Sequence, residues 1–140
     1  MKAKSGFTLV EILIVVVILG ILAAIVIPQF TEASTEAKTS SLMTDLQTMR
    51  SQIELYKVQH NDNPPTLIGF EAQITGQTDI YGAVGTDYGP YLQKIPTNPF
   101  NDSSAFETWG TPGLPGTIGW EYDESNGSIR ADDSPEHALL

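Results

Sequence analysis

From Phe7 to Phe30 the chain runs apolar, with Thr8, Glu11 and Gln29 as its plainly polar side chains. At ~1.5 Å per residue these twenty-four residues make ~36 Å of helix, enough to cross a hydrocarbon core of ~30 Å with some tilt. A membrane-spanning helix therefore takes the amino end, and the rest of the chain is what that helix carries. Lys2 and Lys4 precede the run and no Lys or Arg follows before Lys38. That bias keeps the amino end in the cytoplasm and sends the remainder outward.

Two plainer readings compete. A cleaved secretory signal has an apolar core of roughly 7–15 residues and a small-residue cleavage site; this run is longer, with Ala23-Ala24 as its one candidate site. A simple signal anchor fits the length and charge but makes no use of Glu11. An ionised carboxylate in hydrocarbon costs several kcal/mol, so Glu11 reads as a functional residue in need of a partner, unless it lies near enough to the interface to stay wet. Were the chain cut after Gly6, Phe7 would become the amino terminus. Its amine, positive at neutral pH, would lie one helical turn from Glu11. Between copies packed side by side with an axial stagger, the same two groups form an ion pair in lipid.

The residues Lys4-Ser-Gly-Phe-Thr-Leu-Val-Glu-Ile12 resemble the class III signal peptide of type IV pilins and type II secretion pseudopilins, over about 30 residues. The resemblance implies cleavage after Gly6 by a prepilin peptidase, N-methylation of Phe7, and a role for Glu11 in neutralising a neighbouring copy's amino terminus. It places Pro28 where the family's long helix carries its kink proline. It also implies a pilin-like α+β fold: a long amino-terminal helix, transmembrane then amphipathic, with a small carboxyl-terminal antiparallel sheet. The partners implied are further copies of the chain in a helical homopolymer, the prepilin peptidase, an inner-membrane assembly platform and minor pilins or pseudopilins.

The head is small and acidic. With Glu11 removed from the 17 acidic residues and Lys2 and Lys4 from the 7 basic ones, residues 31–140 carry 16 against 5, a net of −11. Such a head stays soluble and repels nucleic acid, and no nucleic-acid partner is expected. Cysteine is absent, which excludes a disulfide framework and thiolate metal sites. Many pilins close their carboxyl-terminal region with a disulfide, so the resemblance favours the major pseudopilin branch over an adhesive pilus.

The chain divides into a leader (1–6), a filament-core helix (7–30), an amphipathic helix (31–58), an irregular connection (59–116) and a hairpin with an acidic tail (117–140). One helix is expected from Phe7 to about Val58, bent or loosened at Pro28, which removes a backbone hydrogen bond. Leu42, Leu46, Met49, Ile53 and Tyr56 recur at spacings of 4, 3, 4 and 3 and mark its buried stripe, which Met43, Leu55 and Val58 widen. Asn61-Asp62-Asn63-Pro64-Pro65 ends it, with His60 a helix-end residue favoured by the dipole rather than a ligand. Leu67 to Ile74 is a short helix or strand. Tyr88 to Phe100 looks like the family's connecting stretch, and Trp109 to Gly116 is loop by composition. Ile118, Trp120 and Tyr122 alternate with Gly119 and Glu121, the period of a half-buried strand. Asn126-Gly127 supplies positive φ angles for a turn, Ser128 to Ala131 returns, and a strand before Trp109 completes an antiparallel sheet. Asp132 to Leu140 reads as a frayed tail.

No catalytic constellation is present. His60 and His137 lie far apart, and neither a phosphate-binding glycine loop nor a nucleophile elbow occurs. No cofactor is expected. Asp123, Asp132 and Asp133, with Glu124, Ser125 and Asn126, would bring oxygen ligands together if the hairpin forms. Such ligands suit calcium, as the resemblance to major pseudopilins also implies; the alternative is a plain acidic turn. The expected function is that of a filament subunit for type II secretion, anchored in the inner membrane. A type IV pilus subunit is the alternative, and a membrane-tethered binding or enzymatic head is the reading from another class.

Overall fold

The structure, a computed structural model, describes residues 6–110 and 117–140. Most of the leader and of the Trp109–Gly116 loop thus lies outside the described residues. A 51-residue helix, α1 (Leu9–Gln59), is followed by a short α2 (Phe70–Thr75) and three strands, β1 (Phe106–Thr108), β2 (Trp120–Asp123) and β3 (Ser128–Ala131), with a 3-10 turn at His137–Leu139. The chain divides into two units, one ending at Ala37 and one running from Lys38 to Leu140.

In the first unit every side chain of the apolar run is exposed. The helix here is long and apolar enough to cross a membrane. Pro28 lies inside α1 rather than ending it. Lacking an N–H, it gives nothing to the Ala24 carbonyl one turn back, so the helix there is short of one ladder bond.

The second unit is a head built on the carboxyl-terminal part of α1. Leu42, Leu46, Met49, Ile53 and Tyr56 are its buried residues, the expected stripe, each worth about 1.5–3 kcal/mol of burial. Met43, Leu55 and Val58 do not widen it: all three are exposed, because a single layer packs on this helix and their positions turn away from it. Asn61 and Asp62 leave the helix with φ of 55° and 65°, and the Asp62 N–H closes on the Lys57 carbonyl at 2.8 Å. Of the two expectations for residues 67–74 the helix is realised, with Phe70 and Ile74 buried on one face.

The sheet has the order β1-β2-β3. β2 and β3 form the expected antiparallel hairpin, Trp120 opposite Ala131 and Asp123 opposite Ser128. β1 precedes Trp109 as expected but pairs parallel to β2, with Phe106 opposite Trp120, so the sheet is mixed rather than antiparallel. Eleven residues separate Thr108 from Trp120, far more than the tight turn that joins antiparallel neighbours. Trp120, Tyr122, Ile129 and Ala131 point to the core with α1 and α2, and the Tyr122 hydroxyl donates to the Pro65 carbonyl at 2.8 Å.

Three further expectations are corrected. β2 is covered on both faces: Glu121 is 4% exposed, ion-paired with Arg130 across the strand pair, and Arg130 in turn lies 4.1 Å from the centre of the Trp109 ring. In the hairpin turn only Gly127 has positive φ, since the turn is organised by Asp123 rather than by an Asn-Gly pair. The tail is docked, not frayed. Asp133 accepts from Asn98 at 2.7 Å and pairs with His137, the His137 ring packs on Phe100, and Arg50 donates to the Leu140 carbonyl.

Candidate functional site

The helix start is the chemically distinctive place in the first unit. Gly6, Phe7 and Thr8 are non-helical and exposed, and α1 begins at Leu9. The Glu11 Oε2 accepts from both the Thr8 backbone N–H and the Thr8 hydroxyl, each at 2.8 Å, while the Glu11 N–H donates back to the Thr8 Oγ1 at 3.2 Å. This is a capping box, Thr at the N-cap and Glu two residues past the first helical residue, answering backbone donors that a helix start leaves open. The Thr-x-x-Glu spacing ahead of an apolar run announces the box, and a reading of Glu11 as a charge awaiting an outside partner passes over it.

The arrangement sets up a specific electrostatic need. An amine freed at Phe7 would sit at the positive end of the helix dipole, where a cation is disfavoured. A fixed carboxylate at Glu11 is the group that offsets it. Thr8 holds that carboxylate at the first turn of the helix.

The acidic residues expected to hold calcium do not converge. Asp123 sits in the hairpin turn, where its Oδ1 accepts from the Ser125 N–H and hydroxyl and its Oδ2 from the Asn126 amide. These bonds, the Ser125 hydroxyl foremost, hold its pKa below the usual carboxylate value. Asp132 follows the far end of β3, its N–H on the Gly119 carbonyl, about 13 Å from the turn at ~3.3 Å per strand residue. The register of the hairpin thus separates Asp123 from Asp132 and Asp133. Among the described residues no group of three or more His, Cys, Asp or Glu side chains is placed to hold a metal ion.

Asp132 itself is unusual. Its Oδ2 is buried with no hydrogen-bond partner, and burial first, then Glu121 and Glu107, push its pKa up. His60 is a helix-end residue, as expected, directly after Gln59, and it is also part of the core. It is 1% exposed, with Nδ1 2.8 Å from the Tyr56 carbonyl and Nε2 3.0 Å from the Thr78 hydroxyl. A carbonyl only accepts, so Nδ1 carries the proton toward Tyr56 and the Thr78 hydroxyl donates to Nε2.

Residues 1–27 match the prokaryotic N-terminal methylation motif. Residues 29–126 match the family described as type II secretion system protein G. The chain belongs to the protein G family of type II secretion. Relatives of this pseudopilin include the type II secretion system core protein G of Pseudomonas aeruginosa, 35% identical over 80% of this chain and 79% of its own length. That of Vibrio cholerae is 32% identical over 84% and 78%, and that of Aeromonas hydrophila 27% identical over 92% and 96%. No solved structure gives a significant match. The protein G match ends at Asn126 in the hairpin turn, so β3 and the docked tail lie beyond it. The protein is a pseudopilin subunit for type II secretion, and its apolar amino-terminal helix fits a subunit anchored in the inner membrane.

Proposed function

We propose that prepilin peptidase cleaves this pseudopilin between Gly6 and Phe7, that the Phe7 amine is then methylated, and that the mature chain polymerises into a filament with apolar helices inside and acidic heads outside. The observation that carries the reading is a carboxylate, Glu11, fixed by Thr8 in the first turn of a membrane-length helix. In the filament it neutralises the Phe7 amine of an adjoining copy, which lets the subunit leave the bilayer without a bare charge in an apolar core. Lys2 and Lys4 hold the amino end on the cytoplasmic side, where the peptidase acts, and the head lies outside. Pro28 loosens the rod by its missing bond. An inner-membrane platform and minor pseudopilins are the partners of assembly.

The first test is the intact mass of the protein from its native membrane, expected at Phe7 to Leu140 plus one methyl group. The second is Glu11→Ala, which should insert and be cleaved but form no filaments. Normal filaments from that variant overturn the proposal.

A further inference from the structure

The two edges of the sheet are finished differently. At the β3 edge the Arg50 guanidinium donates twice to the Ile129 carbonyl, at 3.0 and 3.3 Å. The β1 edge is bare. Its bonds to β2 run through alternate residues: the Ala105 carbonyl accepts from the Trp120 N–H, and the Trp109 N–H donates to the Tyr122 carbonyl, each at 3.1 Å. Phe106 and Thr108 therefore turn their N–H and carbonyl groups away from β2. Among the described residues no hydrogen bond reaches those outward groups.

A groove of about 330 Å³ lies beside this edge, with Leu67, Ile68, Glu71, Ala105 and Phe106 in its lining. Ile68 is fully exposed, yet its surroundings are fixed: the Leu67 N–H donates to Glu124 at 2.8 Å, and Phe70 is buried with its ring 4.3 Å from that of Phe106. Free backbone groups beside an apolar groove are what an added strand uses, the groups for affinity and the groove for alternate side chains. Charge selects that strand. Glu71 lines the groove and Glu107 projects from the other face of β1, neither has an ion pair among the described residues, and no Lys or Arg lines the groove. A second copy is a poor occupant. Two β1 edges meeting would form a self-complementary contact that sets Glu71 and Glu107 of each acidic head against those of the other.

We propose that the β1 edge takes up an extended segment of another protein, in which apolar and basic side chains alternate. Its backbone bonds the outward groups of Phe106 and Thr108, its apolar side chains cover Ile68 and Phe106, and its basic side chains stand beside Glu107. The contact belongs to the head and requires neither cleavage after Gly6 nor polymerisation. Thr108→Pro deletes one outward N–H at a position where an edge strand tolerates proline, and should weaken binding about tenfold. Ile68→Lys puts a cation into the groove without touching the core, and should weaken it about three- to tenfold while the melting temperature holds.

The decisive experiment titrates the full chain, in detergent micelles at low salt, with an acetylated and amidated octapeptide alternating lysine and valine. Amide exchange is read by NMR at Phe106 and Thr108. Both amides should exchange freely in the chain alone and slow when the peptide is added. The same peptide N-methylated at alternate residues keeps the charge but loses the donors of one edge, and should give no slowing. Equal binding of the two peptides, which is attraction by charge alone, overturns the inference, as does an absence of binding at millimolar peptide. Phe106 and Thr108 amides already protected without peptide also overturn it, because the edge is then taken by a second copy.

Discussion

His60 lies flat against the ring of Tyr56, four residues back along the chain, with centroids 3.7 Å apart and planes within 5°. The stack closes the end of α1 and, through Thr78, ties it to a loop in which Thr78 pairs with both Val84 and Tyr88. His60→Ala empties this site and should cost about 3 kcal/mol. His60→Phe keeps the stack but leaves the Thr78 hydroxyl without its acceptor, and about 1–3 kcal/mol should be lost. Urea unfolding followed by tryptophan fluorescence separates the two; equal stability of His60→Phe and the native chain would show that the hydrogen bond contributes nothing.

Asp132 carries a penalty that depends on pH. Its pKa in the folded head is raised by burial and by Glu121 and Glu107, so folding favours its protonated form. The group therefore weakens the fold above its raised pKa, and that loss is recovered as pH falls toward the ordinary carboxylate value. Asp132→Asn should raise the melting temperature at pH 7 by roughly 2–5 °C, with the gain shrinking in acid. A gain that stays constant down to pH 3 rules out this assignment.

The capping box predicts a graded series at Thr8. Thr8→Ser keeps the hydroxyl and should leave assembly unchanged. Thr8→Val removes it and weakens the cap by about 1 kcal/mol, leaving Glu11 held by the backbone N–H alone. Filament yield should fall while leader cleavage persists, as scored by electron microscopy and intact mass.

Gly127 has φ of +84°, and a Cβ there would stand 2.9 Å from the Ile53 Cγ2 and 3.3 Å from the Pro64 Cβ. Both the backbone and the packing resist a side chain. Gly127→Ala should destabilise the head by about 2–4 kcal/mol and loosen β3 in amide exchange, with α1 amides before Lys38 unaffected.

What was legible in the sequence follows the range of each interaction. The stripe from Leu42 to Tyr56 is written at helical period in one short segment, and its five residues are the buried ones. The hairpin from Trp120 to Ala131 is equally local. The parallel pairing of Phe106 with Trp120 is not, because strand direction depends on where residues 109–119 lead the chain. Glu121 reads as a solvent-facing strand position; its burial needs Arg130 and Trp109, brought from either side. The docking of Asp133 rests on Asn98, thirty-five residues away. The capping box at Glu11 is local as well, spelled by Thr8 three residues before it, and a reading of charges alone leaves it out because Thr8 is neutral.

The Thr8–Glu11 box also bears on the proposed cleavage. Helical backbone, with its amides engaged, is a poor protease substrate, whereas exposed irregular chain is the usual place of cutting. Because the box stops the helix at Leu9, the Gly6–Phe7 bond stays outside it, in exposed chain on the approach to the membrane. Under the proposed processing, the residues that start the rod therefore also keep its leader removable.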